Sequence, residues 1–196
     1  SVQVRWHAVP FARKDAAALD VLDSILNGRT GRLYKSLVEE KQLATGEPYS
    51  SFSAMKYGGY LEIGAELAEG VEHGQVEEAL LAEIERLQRE PVGERELQKA
   101  KNRYRFIQVT EYVKNPDIGS RMSRYEAFFG WEFFDTFDAR IHGVTADRVQ
   151  AVMAKYFQRT MVTVGYLEPK PGAAKPSRKR PPADEESAEE APPEPG

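Results

Sequence analysis

The chain opens on an alternation. Val2, Val4, Trp6 and Ala8 are apolar, and Gln3, Arg5 and His7 between them are polar. A period of two is that of a half-buried strand. The period then changes. Ala18, Leu19, Leu22, Ile25 and Leu26 share one face of a helix that Asp15 is placed to cap and that Asn27-Gly28 stops. A second helix is expected from after Thr30-Gly31 to about Lys41, with Leu33, Leu37 and Val38 inward. Two strands follow, over 49–55 and 60–67, joined as a hairpin around Gly58-Gly59. In the second of them Leu61, Ile63, Ala65 and Leu67 alternate with Glu62, Gly64 and Glu66.

Helical spacing returns from Gln75 to Arg89, through Val76, Leu80, Ile84 and Leu87, and Pro91 breaks it. A longer helix is expected from Glu94 to about Val113, with Leu97, Ala100, Tyr104 and Ile107 as its stripe and Pro116 at its end. Aromatic-rich helical segments run through Phe137. Thr145 caps a last helix carrying Val149, Val152, Met153 and Tyr156, and 161–167 closes as a strand. The order β-α-α-β-β-α-α-α-α-β predicts an α+β fold: a four-stranded mixed or antiparallel sheet with helices packed on one face. Those helices would cover Val2, Val4, Trp6, Leu61, Ile63, Val162 and Val164. The other face then carries Gln3, Arg5, His7, Glu62, Glu66 and Thr163, and a polar sheet face either meets water or lines a wet cavity.

Composition sets the boundary of this domain. Of 196 residues, 41% are hydrophobic and 30% charged, enough for one core and a solvated surface. The balance shifts near Glu168. Eight of the 12 prolines lie beyond it, and no aromatic residue does. A basic stretch (175–180) is followed by an acidic one (184–194). Such a segment buries too little apolar surface to offset an ordering cost of roughly 1–2 kcal/mol per residue. The expected organisation is a domain over residues 1–167 and a disordered Pro/Glu/Ala-rich tail over 168–196.

Several chemistries are excluded by what the chain lacks. Its net charge of −4 gives no basic field for nucleic acid. No apolar run approaches the roughly 18 residues of a membrane span, so no membrane insertion is expected. With no cysteine there are no disulfides, thiolate metal sites or cysteine nucleophiles. The three histidines, His7, His73 and His142, never fall at ligand spacing, and neither H-E-x-x-H nor H-x-x-E-H occurs. Gly28-Arg29-Thr30-Gly31 with Lys35-Ser36 is not a P-loop, because Tyr34 stands where glycine must precede the lysine. Glu39 and Glu40 point about 100° apart on a helix and do not form a carboxylate pair. The aromatic run of Tyr125, Phe128, Phe129, Trp131, Phe133, Phe134 and Phe137 reads as core or as a domain contact.

Three stretches together resemble the second-domain signature of pitrilysin/insulinase-type zinc peptidases, the group that includes mitochondrial processing peptidase. The first is Ala18-Leu19-Asp20-Val21-Leu22 through Ile25-Leu26-Asn27-Gly28, then Gly31-Arg32-Leu33-Tyr34, Leu37-Val38-Glu39-Glu40 and Leu43-Ala44. It is similar to "ALxVLxxILGGGxxSRLYxxLVEExGLA". The second is Glu96-Leu97 with Lys99-Ala100-Lys101-Asn102, similar to "ELxxAKN". The third is Val144-Thr145-Ala146-Asp147-Arg148-Val149 with Lys155-Tyr156-Phe157, similar to "VTAxDVxxVAxKYL". They span most of residues 1–167 and leave the tail uncovered.

The resemblance implies a metallohydrolase domain of the processing-peptidase kind, without the metal, that closes a chamber around a peptide against a homologous domain bearing H-x-x-E-H. Zinc and the catalytic glutamate would belong to that other domain, in the same chain or a partner chain, so no catalytic or metal residue is expected here. Some non-catalytic members offer an arginine and a tyrosine to the substrate. Arg5 matches the first, and Ala17 stands at the tyrosine position. That departure suits the second half of a chain whose first half holds the zinc. The implied function is the non-catalytic half of a zinc metalloendopeptidase, with Gln3, Arg5, His7, Glu62 and Glu66 facing the chamber and its peptide substrate. The alternatives are a structural or assembly homologue and a free-standing peptide-binding module. A dimer is compatible with either. The start at Ser1, without an initiator methionine, reads as a processed or excised piece. Bacterial periplasm and cytoplasm both remain open as the compartment.

Overall fold

The computed structural model describes residues 1–110, 115–130 and 136–168, apart from the side chains at 108, 109, 115, 116, 117, 121, 124, 129 and 137. The expected chain order is present. Strand β1 (Val2–Ala8) is followed by helix α1 (Lys14–Leu26), the short α2 (Arg32–Tyr34), β2 (Ala44–Ala54) and β3 (Gly59–Leu67). Helices α3 (His73–Arg89), α4 (Glu94–Thr110), α5 (Asn115–Phe129), α6 (Phe137–His142) and α7 (Ala146–Tyr156) lead to β4 (Val162–Tyr166). The sheet order is β2-β3-β1-β4, and every neighbouring pair is antiparallel. Thus the first and last strands lie side by side. Ser1 and Leu167 exchange backbone bonds, the Ser1 amino group to the Leu167 carbonyl at 2.8 Å and the Leu167 N–H to the Ser1 carbonyl at 2.9 Å.

Helices cover the face carrying Val2, Val4, Trp6, Leu61, Ile63 and Ala65, all buried. Helix α1 lies at the centre of that layer and is buried nearly all round, from Ala16 to Leu19 and at Val21, Leu22, Ile25 and Leu26. A helix apolar on most sides needs neighbours on most sides; it packs on β2, α4, α6 and α7. Trp6 closes the layer at the β4 side. Its ring meets Phe157 edge-on at 5.3 Å, and its Nε1–H donates to the Gln158 carbonyl at 3.3 Å. Some polar groups within this layer are paired, while Asp20 Oδ2, Arg32 Nη1 and Glu83 Oε1 are enclosed with no partner among the described residues. Ser50, on the core side of β2, donates to Asp23 Oδ1 at 2.6 Å, and Asn27 bonds both ways with the Ser50 backbone at 2.7 and 2.8 Å.

The structure departs from the sequence expectation in four places. Asp15 is not the cap of α1: the helix begins at Lys14 with Arg13 before it, and Asp15 faces outward to Arg148, Lys155 and Tyr156. The second helix is a single α-turn continued by a π-turn over Lys35–Glu40, with the Lys41 N–H bonded to the Ser36 carbonyl at 3.1 Å. Gln42 then adopts a left-handed φ of 54°, which lets the Leu43 N–H reach the Leu37 carbonyl at 2.8 Å and ends the turn. Strand β2 begins at Ala44 rather than Tyr49, because pairing with β3 resumes across an irregularity between Thr45 and Tyr49 that holds Pro48. Ile107, expected inward on α4, is exposed, as is Phe106. Residues 111–114, 131–135 and 169–196 lie outside the described set; with them go the last residues expected of α4, Trp131, Phe133 and Phe134 of the aromatic run, and the tail after Glu168. No described helix is long and apolar enough to cross a membrane.

Candidate functional site

The helix-free face of the sheet gathers a polar network around Glu62. Register explains its membership. Arg5 lies opposite Glu62 and Thr163, Gln3 opposite Gly64 and Gly165, His7 opposite Tyr60, and Tyr49 opposite Gly64. Directly paired residues point to one side, so these side chains share the face. Arg5 Nε donates to Glu62 Oε2 at 2.8 Å, and its Nη2 closes on the same oxygen. The Tyr49 hydroxyl donates to Glu62 Oε1 at 2.8 Å and accepts from Gln3 Nε2 at 2.9 Å. Tyr60 stacks beneath the guanidinium, its ring centre 4.3 Å from Arg5 Cζ, a cation–π contact.

Glu62 is only 8% exposed, although it lies on the sheet face opposite the one that carries Val4, Leu61 and Ile63. Its shield is Arg5, Tyr49 and the neighbouring strands. Gly64 is part of that shield: a Cβ there would lie 2.7 Å from the Tyr49 ring, so only glycine lets the ring lie flat across β3. Burial and the bond to the Glu62 carboxylate push the Tyr49 hydroxyl up to about 12. It therefore stays protonated and remains a donor. The Arg5 guanidinium is held above its ordinary value by its hydrogen bond to Glu62, and half of its side chain remains open to solvent.

Beside this network a groove of about 740 Å³ runs along the hairpin end of the sheet, lined by Arg5, His7, Tyr57, Tyr60, Phe128 and Thr163 among others. Tyr57 is 87% exposed on its rim. Of the five residues expected to face a chamber, Gln3, Arg5 and Glu62 are brought together through Tyr49, and His7 lines the groove. Glu66 stays apart, exposed and paired across to Thr45. Tyr49 and Tyr60 were missing from that set. Strand parity places both on the polar face, but each opens or nearly opens a strand and reads as apolar, so alternation did not count them. Ala17 is 4% exposed and packed in the core, where it reaches no ligand.

This arrangement offers a fixed guanidinium, a phenol donor, an amide and aromatic walls, and among its described residues no nucleophile is paired with a base. Among the described residues no group of three His, Cys, Asp or Glu side chains is placed to hold a metal ion. His7 lies on β1, His73 packs its ring on Tyr166 at 5.3 Å, and His142 ends α6 beside Asp138 at 3.8 Å.

Comparison with known proteins agrees in one direction. The family profile described as "Peptidase M16 inactive domain" matches residues 1–104. No curated protein sequence matches the chain. The inactive peptidase domain of a Bordetella parapertussis protein assigned as a zinc protease superposes with a TM-score of 0.76 at 27% identity, over 85% of this chain and 91% of that one. A Bordetella pertussis protein, also assigned as a zinc protease, gives 0.74 at 25% identity, over 86% and 94%. A protease from Helicobacter pylori gives 0.79 at 20% identity; this chain covers 41% of it, and at that identity the likeness is one of fold.

Proposed function

The chain belongs to the family of peptidase M16 inactive domains, and from that premise we propose that it forms one wall of a peptide-binding chamber in a zinc metalloendopeptidase. The metal chemistry belongs to a homologous H-x-x-E-H domain, in the same chain or a partner. A zinc ion held by that domain would supply the activated water for peptide hydrolysis. The present domain supplies enclosure and positioning.

The carrying observation is the helix-free sheet face. Its side chains are fixed before any ligand arrives: Glu62, buried in the open face, locks Arg5 and Tyr49 in place from both sides. Arg5 keeps solvent-exposed donor capacity, and the groove beside it has aromatic walls. An extended peptide presents carbonyl acceptors and alternating side chains, which a donor next to an aromatic groove suits. An assembly homologue would need no such preformed polar face.

The test is peptide hydrolysis by the H-x-x-E-H domain with and without this chain. Cleavage that depends on the chain, with the added effect mainly on kcat/KM, is expected. Equal cleavage by the zinc domain alone would remove the chamber-wall reading and leave the structural one.

A further inference from the structure

On the helical layer, across the sheet from the polar face, a second cavity of about 640 Å³ opens between the α1–α2 loop and the start of α4. Its lining is one-sided in charge. Arg32, Lys35, Arg86, Arg95, Lys99 and Arg103 face the single carboxylate of Glu96. Three of these cations are already answered. Arg32 Nε and Nη2 grip Glu96 Oε1 and Oε2, both at 2.8 Å. Arg86 sits between Glu83 at 3.4 Å and Glu90 at 3.3 Å. Arg103 lies across Gly28, whose φ of +80° brings the backbone against the guanidinium, and donates to the Asn27 carbonyl at 2.5 Å.

The other three are not. Lys35, Arg95 and Lys99 are exposed, and none has a hydrogen bond or ion pair among the described residues. Arg95 and Lys99 stand four apart on one face of α4, and Lys35 comes from the π-turn. Two further features point the same way. Arg32 Nη1 is enclosed and has no acceptor among the described residues, a state that native proteins rarely leave unanswered. The first turn of α4 also opens here, through Gly93, Arg95 and Glu96, and brings the positive end of a 17-residue helix to the rim. The Glu96 carboxyl registers the surrounding field: its bond to Arg32, with Lys35 and Arg86 nearby, outweighs burial and holds it below its ordinary value.

We propose that this cavity binds a compact, multiply charged oxyanion, of diphosphate or tricarboxylate size, through Lys35, Arg95 and Lys99. It is not a P-loop, since Tyr34 precedes Lys35 and the element before the loop is helix α1. Its cations come from two segments about 60 residues apart, which is why no sequence motif marks it. The volume suits a small ligand, and cations unpaired inside a concavity concentrate anions there. The site is separate from the polar face and stands or falls independently of the chamber reading.

Calorimetric titration of the intact chain with pyrophosphate, and separately with citrate, at matched ionic strength tests it. One saturable site per chain is expected, at least about tenfold weaker in the double variant Arg95→Gln/Lys99→Gln, as loss of charged hydrogen bonds implies. Both positions are exposed, so melting should not change. Lys14→Gln, an exposed lysine elsewhere, should leave affinity intact. Preference for pyrophosphate or for citrate identifies the phosphate or the carboxylate source. No saturation with either ligand, or equal weakening in Lys14→Gln, overturns the proposal.

Discussion

On one side of β1 lie Val2, Val4 and Trp6, at 0%, 0% and 2% exposure; on the other side of the same strand lie Gln3, Arg5 and His7, all exposed. The helix side is held by shape, through Leu and Val against α1, α3 and α7, with Ser50, Asp23 and Asn27 bonded to one another among its polar groups. The open side is held by a chain of hydrogen bonds and one buried carboxylate. What the difference teaches is that the two faces fail differently. Loss of volume should break the first. Loss of a single acceptor should loosen the second while the domain stays folded.

The largest effect should come from the helix side. Trp6→Ala removes the largest side chain of the core and its contact with Phe157, and should cost about 3–5 kcal/mol, measured as a fall in the midpoint of urea unfolding. A loss under about 1 kcal/mol would mean that the helical layer collapses around the gap and is not held by shape.

Glu62→Ala comes next, at about 2 kcal/mol, because the Tyr49 hydroxyl loses its acceptor and Arg5 its partner. The alternation alone treats all five polar-face residues as surface sites worth about ±0.5 kcal/mol each. Glu62 is the exception, since its neighbours enclose it. Gln3→Ala should stay within the smaller range, and equal effects of the two would dissolve the network.

Asp15 probes the helix side without touching its apolar contacts. Burial raises its carboxyl, but hydrogen bonds from Tyr156 and Lys155, with Arg148 alongside, outweigh that and hold it below 3.8. A lowered folded value means that its stabilisation is complete above the ordinary value and is lost as pH falls through the folded one. Asp15→Asn should therefore cost about 1.5 kcal/mol at pH 7. The gap from the unsubstituted protein should narrow below about pH 4, near the ordinary aspartate value. A gap that stays constant down to pH 2 would show that Asp15 acts by shape and not by charge.

Period-two alternation was enough to read the sheet and its two faces, because β1 and β3 are pure cases: every second residue is apolar, and no insertion shifts the register. It placed Gln3, Arg5, Glu62 and His7 on one side correctly. It could not show that Glu62 is buried there, since burial on that face comes from cross-strand neighbours at Tyr49 and Arg5. Nor could it find β2 before Tyr49. Thr45-Gly46-Glu47-Pro48 has no strand pattern, and the bulge hides the parity that would have put Tyr49 opposite Gly64. The π-turn after Tyr34 was likewise invisible, as Leu33 and Leu37 satisfy α spacing equally well. The family signature lay in the sequence at Gly31-Arg32-Leu33-Tyr34 and its flanks, but which of those residues bind anything did not.

The central claim is that the open face positions a peptide. Its most direct test is the pair Arg5→Lys and His7→Ala in this chain assayed together with the proposed H-x-x-E-H domain, with melting temperature and peptide cleavage measured on the same samples. Lysine keeps a charge beside Glu62 but loses the planar fork, and His7 is an exposed groove residue, so neither should unfold the domain. The account predicts unchanged melting, within about 0.5 kcal/mol, and a fall in kcat/KM of about tenfold for Arg5→Lys with a smaller one for His7→Ala. Full cleavage by both variants, with melting unchanged, would contradict it.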